Sequence, residues 1–346
     1  MSGQQNAAIE QQQQTAATED MMGSRRSVLM RFTFVRHGET QANKDRCIQG
    51  HTDIPLCQSG EEQASRAGER LKDVRFSRVY ASDLCRASTT CRLILAKNTC
   101  HPPPLIIDTR LRERNFGSVE GMVFEEVLKM AEANGSSWPQ YSPPGAESLG
   151  DVQARLVAFF KEVCQSIYDK NNNNLKKREA VNSVSEKGGK GGDRTEAKRE
   201  KEDEETKKKK KSEEEADMEE ENMLNEAKEK EREKEQEKTR GKTTETNSAE
   251  RDGDKKTEEE QEEHEGRKEE EEEEHVLVVS HGAALRQLYL HLHRTLGCPL
   301  PPNINPDTPA RLSPNTGIST YSVRYSPKAY TLQCLCLHDS QHLQGM

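Results

Sequence analysis

Apolar residues in this chain gather into short blocks, and the spacing within the blocks changes along the sequence. RFTFVR at 31–36, RVYAS at 78–82, LIIDT at 105–109 and HVLVVS at 275–280 are near-continuous apolar runs of strand length. Between them the period lengthens to that of a helix. Ala64, Ala67 and Leu71 fall on one face of GEEQASRAGERLKD, and Leu84, Ala87, Cys91 and Leu95 fall on one face of DLCRASTTCRLILA. A further helix is predicted to start near Ser148, after the stop Pro143-Pro144-Gly145, and to run through RLVAFFKEVCQSIY. GISTYSVRY and AYTLQCLCL flank the turn Ser326-Pro327 and predict a hairpin at a sheet edge. Strand–helix–strand alternation with buried strands predicts an α/β fold, a mainly parallel central sheet with helices on both faces.

Two stretches break this pattern. Residues 1–29 are rich in Gln and Ala without periodicity and are expected to be a disordered extension. Residues 170–274 form a Glu/Lys-rich insert with too few apolar positions to bury a core, and disorder is expected there too. The foldable chain is then expected at 30–169 and 275–340. Closing a loop of ~100 residues rather than ~10 costs only about 2 kcal/mol, so the fold can tolerate such an insertion.

Charge separates the two parts. Residues 171–274 hold 26 Lys/Arg and 38 Asp/Glu, a net of −12, whereas the whole chain nets −9, which leaves +3 for the remainder. The mean hydropathy of −1.03 therefore describes the insert more than the folded part, which is mildly basic, as suits an anionic substrate. The basic runs, Lys207–Lys211 among them, lie inside a net acidic segment, which argues against nucleic-acid binding and for solvated charge. What partner the insert would meet is not legible. No run approaches the ~18 apolar residues of a membrane span. Nine cysteines without a C-x-x-C pair read as free thiols of a reducing compartment, so a cytoplasmic protein is expected, with nuclear or mitochondrial-surface pools compatible.

The candidate chemistry sits where strands end. Val-Arg-His-Gly at 35–38 puts His37 at the close of the first strand, and Ser-His-Gly at 280–282 repeats the arrangement with His281. Sites of parallel sheets lie at such carboxyl ends. A neutral imidazole can be a phosphoryl nucleophile without a metal, provided a hydrogen bond fixes its tautomer. Arg36 beside His37 can grip phosphate oxygens, Asn43 can donate to the same anion, and Arg86 opens a helix after the second strand. Glu113 in LRERNFGSVEG follows another strand end and can act as acid and base, provided burial raises its pKa; its alternative is an ion-pair partner of Arg112 or Arg114. His281 would be a second phosphate contact, with Gly282 permitting the turn. No H-E-x-x-H or C-x-x-C occurs, and His291 and His293 at i,i+2 do not face one another on a helix, so neither a metal nor another cofactor is expected.

The motifs RHGETQAN, IQGHTDIPLCQSGEEQA, SDLCRA, LRERNFGSVEG and VSHG, in this order, resemble the histidine phosphatase (phosphoglycerate mutase-like) superfamily. The likeness covers about 30–165 and 275–337. SPPGAESL and SPNTGIS with LQCLCLHDSQHLQG look most like its fructose-2,6-bisphosphatases. The resemblance implies catalytic roles for His37, Glu113 and His281, with His37 transiently phosphorylated, and a phosphate pocket of Arg36, Asn43, Arg86 and Gly282. It implies hydrolysis of a small phosphorylated metabolite, fructose-2,6-bisphosphate to fructose-6-phosphate, which would regulate glycolysis. 2,3-Bisphosphoglycerate hydrolysis or phosphoglycerate mutase activity is the near alternative. A non-catalytic scaffold working through the charged insert is the alternative of another class.

Overall fold

The computed structural model describes residues 27–138, 140–187 and 273–346. The expectations for 1–26 and for 188–272 fall outside the described residues. The chain divides into two compact units, 1–178 with 270–346, and 179–269. Of the second, only 179–187 are described, and they are helical. The first unit carries the sheet and every candidate site residue.

Six strands form that sheet. They are β1 (Val28–Arg36), β2 (Arg78–Ala81), β3 (Leu105–Ile107), β4 (Glu274–Ser280), β5 (Ile318–Ser326) and β6 (Ala329–Asp339), in the spatial order β3-β2-β4-β1-β5-β6. β3, β2, β4 and β1 are parallel, whereas β5 and β6 pair antiparallel to one another at the edge, with β5 antiparallel to β1. The expected strands and edge hairpin are all present; the central strands β1 and β4, buried on both faces, carry continuous apolar runs, whereas edge strand β3 leaves Ile106 and Ile107 exposed.

The helices are α1 (Gln41–Lys44), α2 (Gln58–Leu71), α3 (Cys85–Lys97), α4 (Phe124–Ala133), α5 (Leu149–Lys187) and α6 (Gly282–Leu290). Ser148 starts α5, its hydroxyl accepting from Asp151 N–H while the Asp151 carboxylate accepts from Ser148 N–H. This helix runs past residue 169, where composition placed the start of the insert. One face of the sheet buries Phe32, Phe34, Val276 and Val278 against Leu156, Phe159 and Phe160 of α5 and Leu285 and Tyr289 of α6. The other buries Val35, Val79, Leu277 and Val279 against Ala67 and Leu71 of α2 and Ala87, Cys91 and Ile94 of α3. Alternation along each strand assigns neighbours such as Phe34 and Val35 to opposite cores. Among the described residues, no helix is long and apolar enough to cross a membrane.

The register of the two central strands places the two His-Gly corners together. Arg36 lies opposite Ser280, so the next residue of each strand, His37 and His281, leaves the sheet at the same level. β2 and β3 end there too, with Ala81 opposite Val279 and Ile107.

The opposite end of the sheet carries an acid-sensitive feature. His275 Nε2 meets Thr33 Oγ1 at 2.8 Å, and burial, helped by Arg31, lowers its pKa to about 4. At the site end of the edge strand β6, burial does the same to His338, also to about 4. Between the ordinary value of 6.5 and about 4, the unfolded chain binds protons that these native imidazoles refuse. Their contribution to stability is complete above 6.5 and is lost as the pH falls toward 4. The thermal midpoint should fall across that window; a midpoint level from pH 7 to 4.5 would contradict the assignment.

Candidate active site

His37 is 3% exposed and its Nδ1 lies 2.7 Å from the Gly38 carbonyl. A carbonyl only accepts, so Nδ1 carries the proton and Nε2 keeps its lone pair. Burial first, then the positive charges of Arg36 and Arg86, hold the ring's pKa well below 6.5, which keeps it neutral at pH 7. The corner itself is fixed from several sides. His37 N–H donates to the Ser280 carbonyl at 2.9 Å, Gly38 N–H to Thr90 Oγ1 at 2.9 Å, and Glu39 N–H to Gln63 Oε1 at 3.0 Å. Gly38 must be glycine because a Cβ would stand 2.4 Å from the Gly60 carbonyl oxygen, where α2 begins.

The cations around His37 are held by carbonyl oxygens. Arg86 is fully buried, and its guanidinium donates to the carbonyls of Gly50 (2.7 Å) and Thr52 (2.9 Å). Arg36 donates to the Ser313 carbonyl at 2.7 Å. Neutral carbonyls orient these charges without cancelling them. The Nε of each is buried without a partner, as are both ring nitrogens of the fully buried His281. The His281 and His37 rings are 5.2 Å apart, and burial holds His281 well below its usual pKa. Buried donors left unmade are costly, and here they surround one imidazole, an arrangement complementary to an oxyanion.

Glu113 closes the pocket from the other side. Its Oε1 accepts from the N–H groups of Arg114 (2.8 Å) and Ala284 (2.9 Å), and its Oε2 from that of Ala283 (3.0 Å). The carboxyl therefore sits on the first turn of α6, next to His281. The neighbouring arginines have other partners: Arg112 pairs with Asp83 (Nε to Oδ1 2.8 Å), and Arg114 donates to the carbonyls of Glu147 and Tyr141. Asn43 lines the same cavity, its Oδ1 engaged by Thr40 N–H and the Asn315 amide. Gly282 gives Arg36 room, since a Cβ there would lie 3.3 Å from Arg36 Nε. The cavity encloses about 430 Å³ and is lined by Arg36, His37, Asn43, Arg86, Glu113 and Gly282, so these six sequence-chosen residues meet in one place. The seventh, His281, packs beside His37.

A family model, the histidine phosphatase superfamily (branch 1), matches residues 32–172. Fructose-2,6-bisphosphatase TIGAR of Xenopus tropicalis is 30% identical over 321 residues, spanning 91% of this chain and 95% of its own length. The chain belongs to the histidine phosphatase superfamily. Fructose-2,6-bisphosphatase TIGAR B of Danio rerio reaches 42% identity over 146 residues, 42% of this chain and 57% of its own. A solved phosphoglycerate mutase from Bacillus anthracis str. Sterne shares the fold, with a TM-score of 0.52 at 17% identity over 92% of this chain and 96% of that one. This is thus an enzyme of the histidine phosphatase type, as the motif order led one to expect.

Several residues of this phosphatase pocket were not singled out from the sequence, although Glu120 lies in LRERNFGSVEG and Asn315 and Thr316 in SPNTGIS. Arg155 of α5 donates to the carbonyls of Arg110, Arg112 and Glu113, fixing the turn that presents Glu113. Glu120 accepts from the N–H groups of His51, Thr52 and Phe116 and from the Thr52 hydroxyl, which sets the loop whose carbonyls hold Arg86. Asn315 and Thr316 both donate to the His37 carbonyl. Arg286 lies on the face of α6 that carries Gly282, four residues earlier, and lines the cavity. That i,i+4 spacing was the available signal for Arg286; the others are set by long-range contacts.

Thr90 is fully buried and joins the two halves of the pocket, donating to the Arg86 carbonyl (2.7 Å) while accepting from Gly38 N–H. Thr90→Val leaves a buried N–H unmade and should cost about 1–3 kcal/mol by chemical denaturation. Phosphate release should fall as well. Thr90→Ser should restore both; a serine variant as impaired as the valine would show that the methyl group, not the hydroxyl, matters.

Proposed function

We propose that this enzyme hydrolyses a sugar bisphosphate, fructose-2,6-bisphosphate to fructose-6-phosphate, through a phosphohistidine at His37. The observation that carries the reading is the neutral His37, its Nε2 free, ringed by the unpartnered buried donors of Arg36, Arg86 and His281. In the first step Nε2 bonds to phosphorus while the bond to the leaving oxygen breaks. Arg36, Arg86, Asn43 and His281 hold the charge on the equatorial oxygens, and Glu113 gives a proton to the departing hydroxyl. Water then attacks the phosphohistidine, Glu113 takes its proton, and phosphate leaves. No step calls on a metal.

Two features support a substrate with a second phosphate. Relatives along nearly the whole chain carry the name fructose-2,6-bisphosphatase, in Xenopus tropicalis and in Bos taurus. In addition, the part-buried Arg286 lines the cavity with its Nε shielded from solvent, and neither a hydrogen bond nor an ion pair engages it among the described residues. A part-buried cation that faces the cavity and makes no hydrogen bond fits an anion that arrives with the substrate. A cytoplasmic enzyme acting on glycolytic flux belongs to the same proposal.

Phosphate release measured on fructose-2,6-bisphosphate, 2,3-bisphosphoglycerate and 3-phosphoglycerate side by side should favour the first. Higher turnover of 2,3-bisphosphoglycerate, or isomerisation of 3-phosphoglycerate without release, would point to the alternative substrates. His37→Ala should abolish activity, and Glu113→Gln should slow it by ~10²–10⁴. Arg286→Ala should lower kcat/KM on the bisphosphate about tenfold or more, the scale of one charge-assisted contact.

The segment between α5 and β4 is proposed to be dispensable for this chemistry. Removal of 188–272, with a short flexible linker in its place, should leave phosphate release within about threefold. Loss of activity with the fold intact would assign the segment a part in catalysis.

A further inference from the structure

The cavity has two chemically unlike sides. One side carries Arg36, His37, Arg86 and Glu113, all polar; the other carries an apolar cluster of Ile48, Phe116, Phe124 and Trp138. The aromatic members are ordered by one another. Trp138 stacks on Phe116 with centroids 5.5 Å apart and planes 18° from parallel, and meets Phe124 edge-on at 5.2 Å and 80°. Phe116 is backed by the Arg114 guanidinium, 5.2 Å from its centroid. Phe116 is thus spent as a support, whereas Phe124 and Trp138 are only partly buried and both face the cavity.

This apolar cluster adjoins the phosphate side directly. Ala283, whose N–H holds Glu113, packs against it. A volume of about 430 Å³ lies within the ~300–1,000 Å³ of cavities that enclose ligands far larger than a phosphate ion. Rings prefer offset stacking or edge contact with such side chains, and an indole gives the largest face for it.

We propose that Phe124 and Trp138 form a ring-stacking subsite beside the phosphate pocket, through which the enzyme also binds and hydrolyses phosphate monoesters carrying a planar apolar ring. An aryl phosphate is the simplest such substrate. The proposal rests on the reading of the polar side as a phosphate site. Chemistry is unchanged: His37 Nε2 bonds to phosphorus, the aryl oxygen leaves with the proton of Glu113, and water releases phosphate. The ring adds binding on the far side of the scissile bond.

Phosphonates separate the two subsites because they are not hydrolysed. Titration calorimetry of the full-length protein with methylphosphonate and phenylphosphonate should give about tenfold tighter binding of the phenyl compound. Trp138 is the single tryptophan of the chain, so its emission should change more with phenylphosphonate than with methylphosphonate. Phe124→Leu, which keeps apolar bulk without the ring, and Trp138→Ala should each shrink the preference to within about threefold. Both variants should also raise KM for 4-nitrophenyl phosphate. Equal wild-type affinities, or a preference that survives both substitutions, would overturn the ring subsite while leaving the phosphate site standing. Failure of methylphosphonate and inorganic phosphate to bind at all would instead remove the phosphate reading on which it rests.

Discussion

The pairing of β1 with β4 is the constraint on which the rest depends. Two segments separated by more than 230 residues align so that Arg36 faces Ser280 and His37 N–H bonds the Ser280 carbonyl. A slip of one residue would turn every side chain of a strand to the other face. Phe32 and Phe34 would then exchange cores with Val35, so burial on both faces enforces the register. The register in turn sets the two imidazoles side by side. The geometry of the pocket is thus inherited from hydrophobic packing several residues away from any reacting atom.

Electrostatics follow from that placement. Desolvation holds both imidazoles neutral, and it would be prohibitive for Arg86 were its charge not spread onto the carbonyls of Gly50 and Thr52. Those carbonyls are themselves fixed by the Glu120 carboxylate through His51 and Thr52. Donors held in place before substrate arrives need no reorganisation during reaction, which is the largest advantage such a site has over water. The cost is a set of buried polar atoms without partners. Stability lost here is recovered in the two cores.

β4 begins at Glu274, and His281 follows its carboxyl end, seven residues along, where ligand sites of parallel sheets gather. The aromatic side of the cavity belongs to a different region, the stretch from Phe116 through α4 to Trp138. Substrate range can therefore vary there while the phosphoryl chemistry stays fixed on the sheet.

Much of this was legible along the chain. Runs of buried-strand type gave β1 to β4, and helical periodicity gave α2, α3 and α5, because each period reflects which faces must leave water. His37, Arg86, Glu113 and His281 stood out because each follows a strand within a few residues, where local sequence and position in the fold coincide. Arg155, Glu120, Thr90 and Arg286 did not stand out. Their roles are hydrogen bonds or cavity positions reached across dozens to hundreds of residues, and an arginine on a helix looks alike whether it faces solvent, a carbonyl or a ligand. The backbone donors of α6 that hold the Glu113 carboxylate are likewise encoded by no local spacing. Local sequence determined which residues could do the chemistry, since composition and period act within a few residues. Tertiary structure alone decided which donors were left unpartnered, since that depends on what long-range packing brings near them.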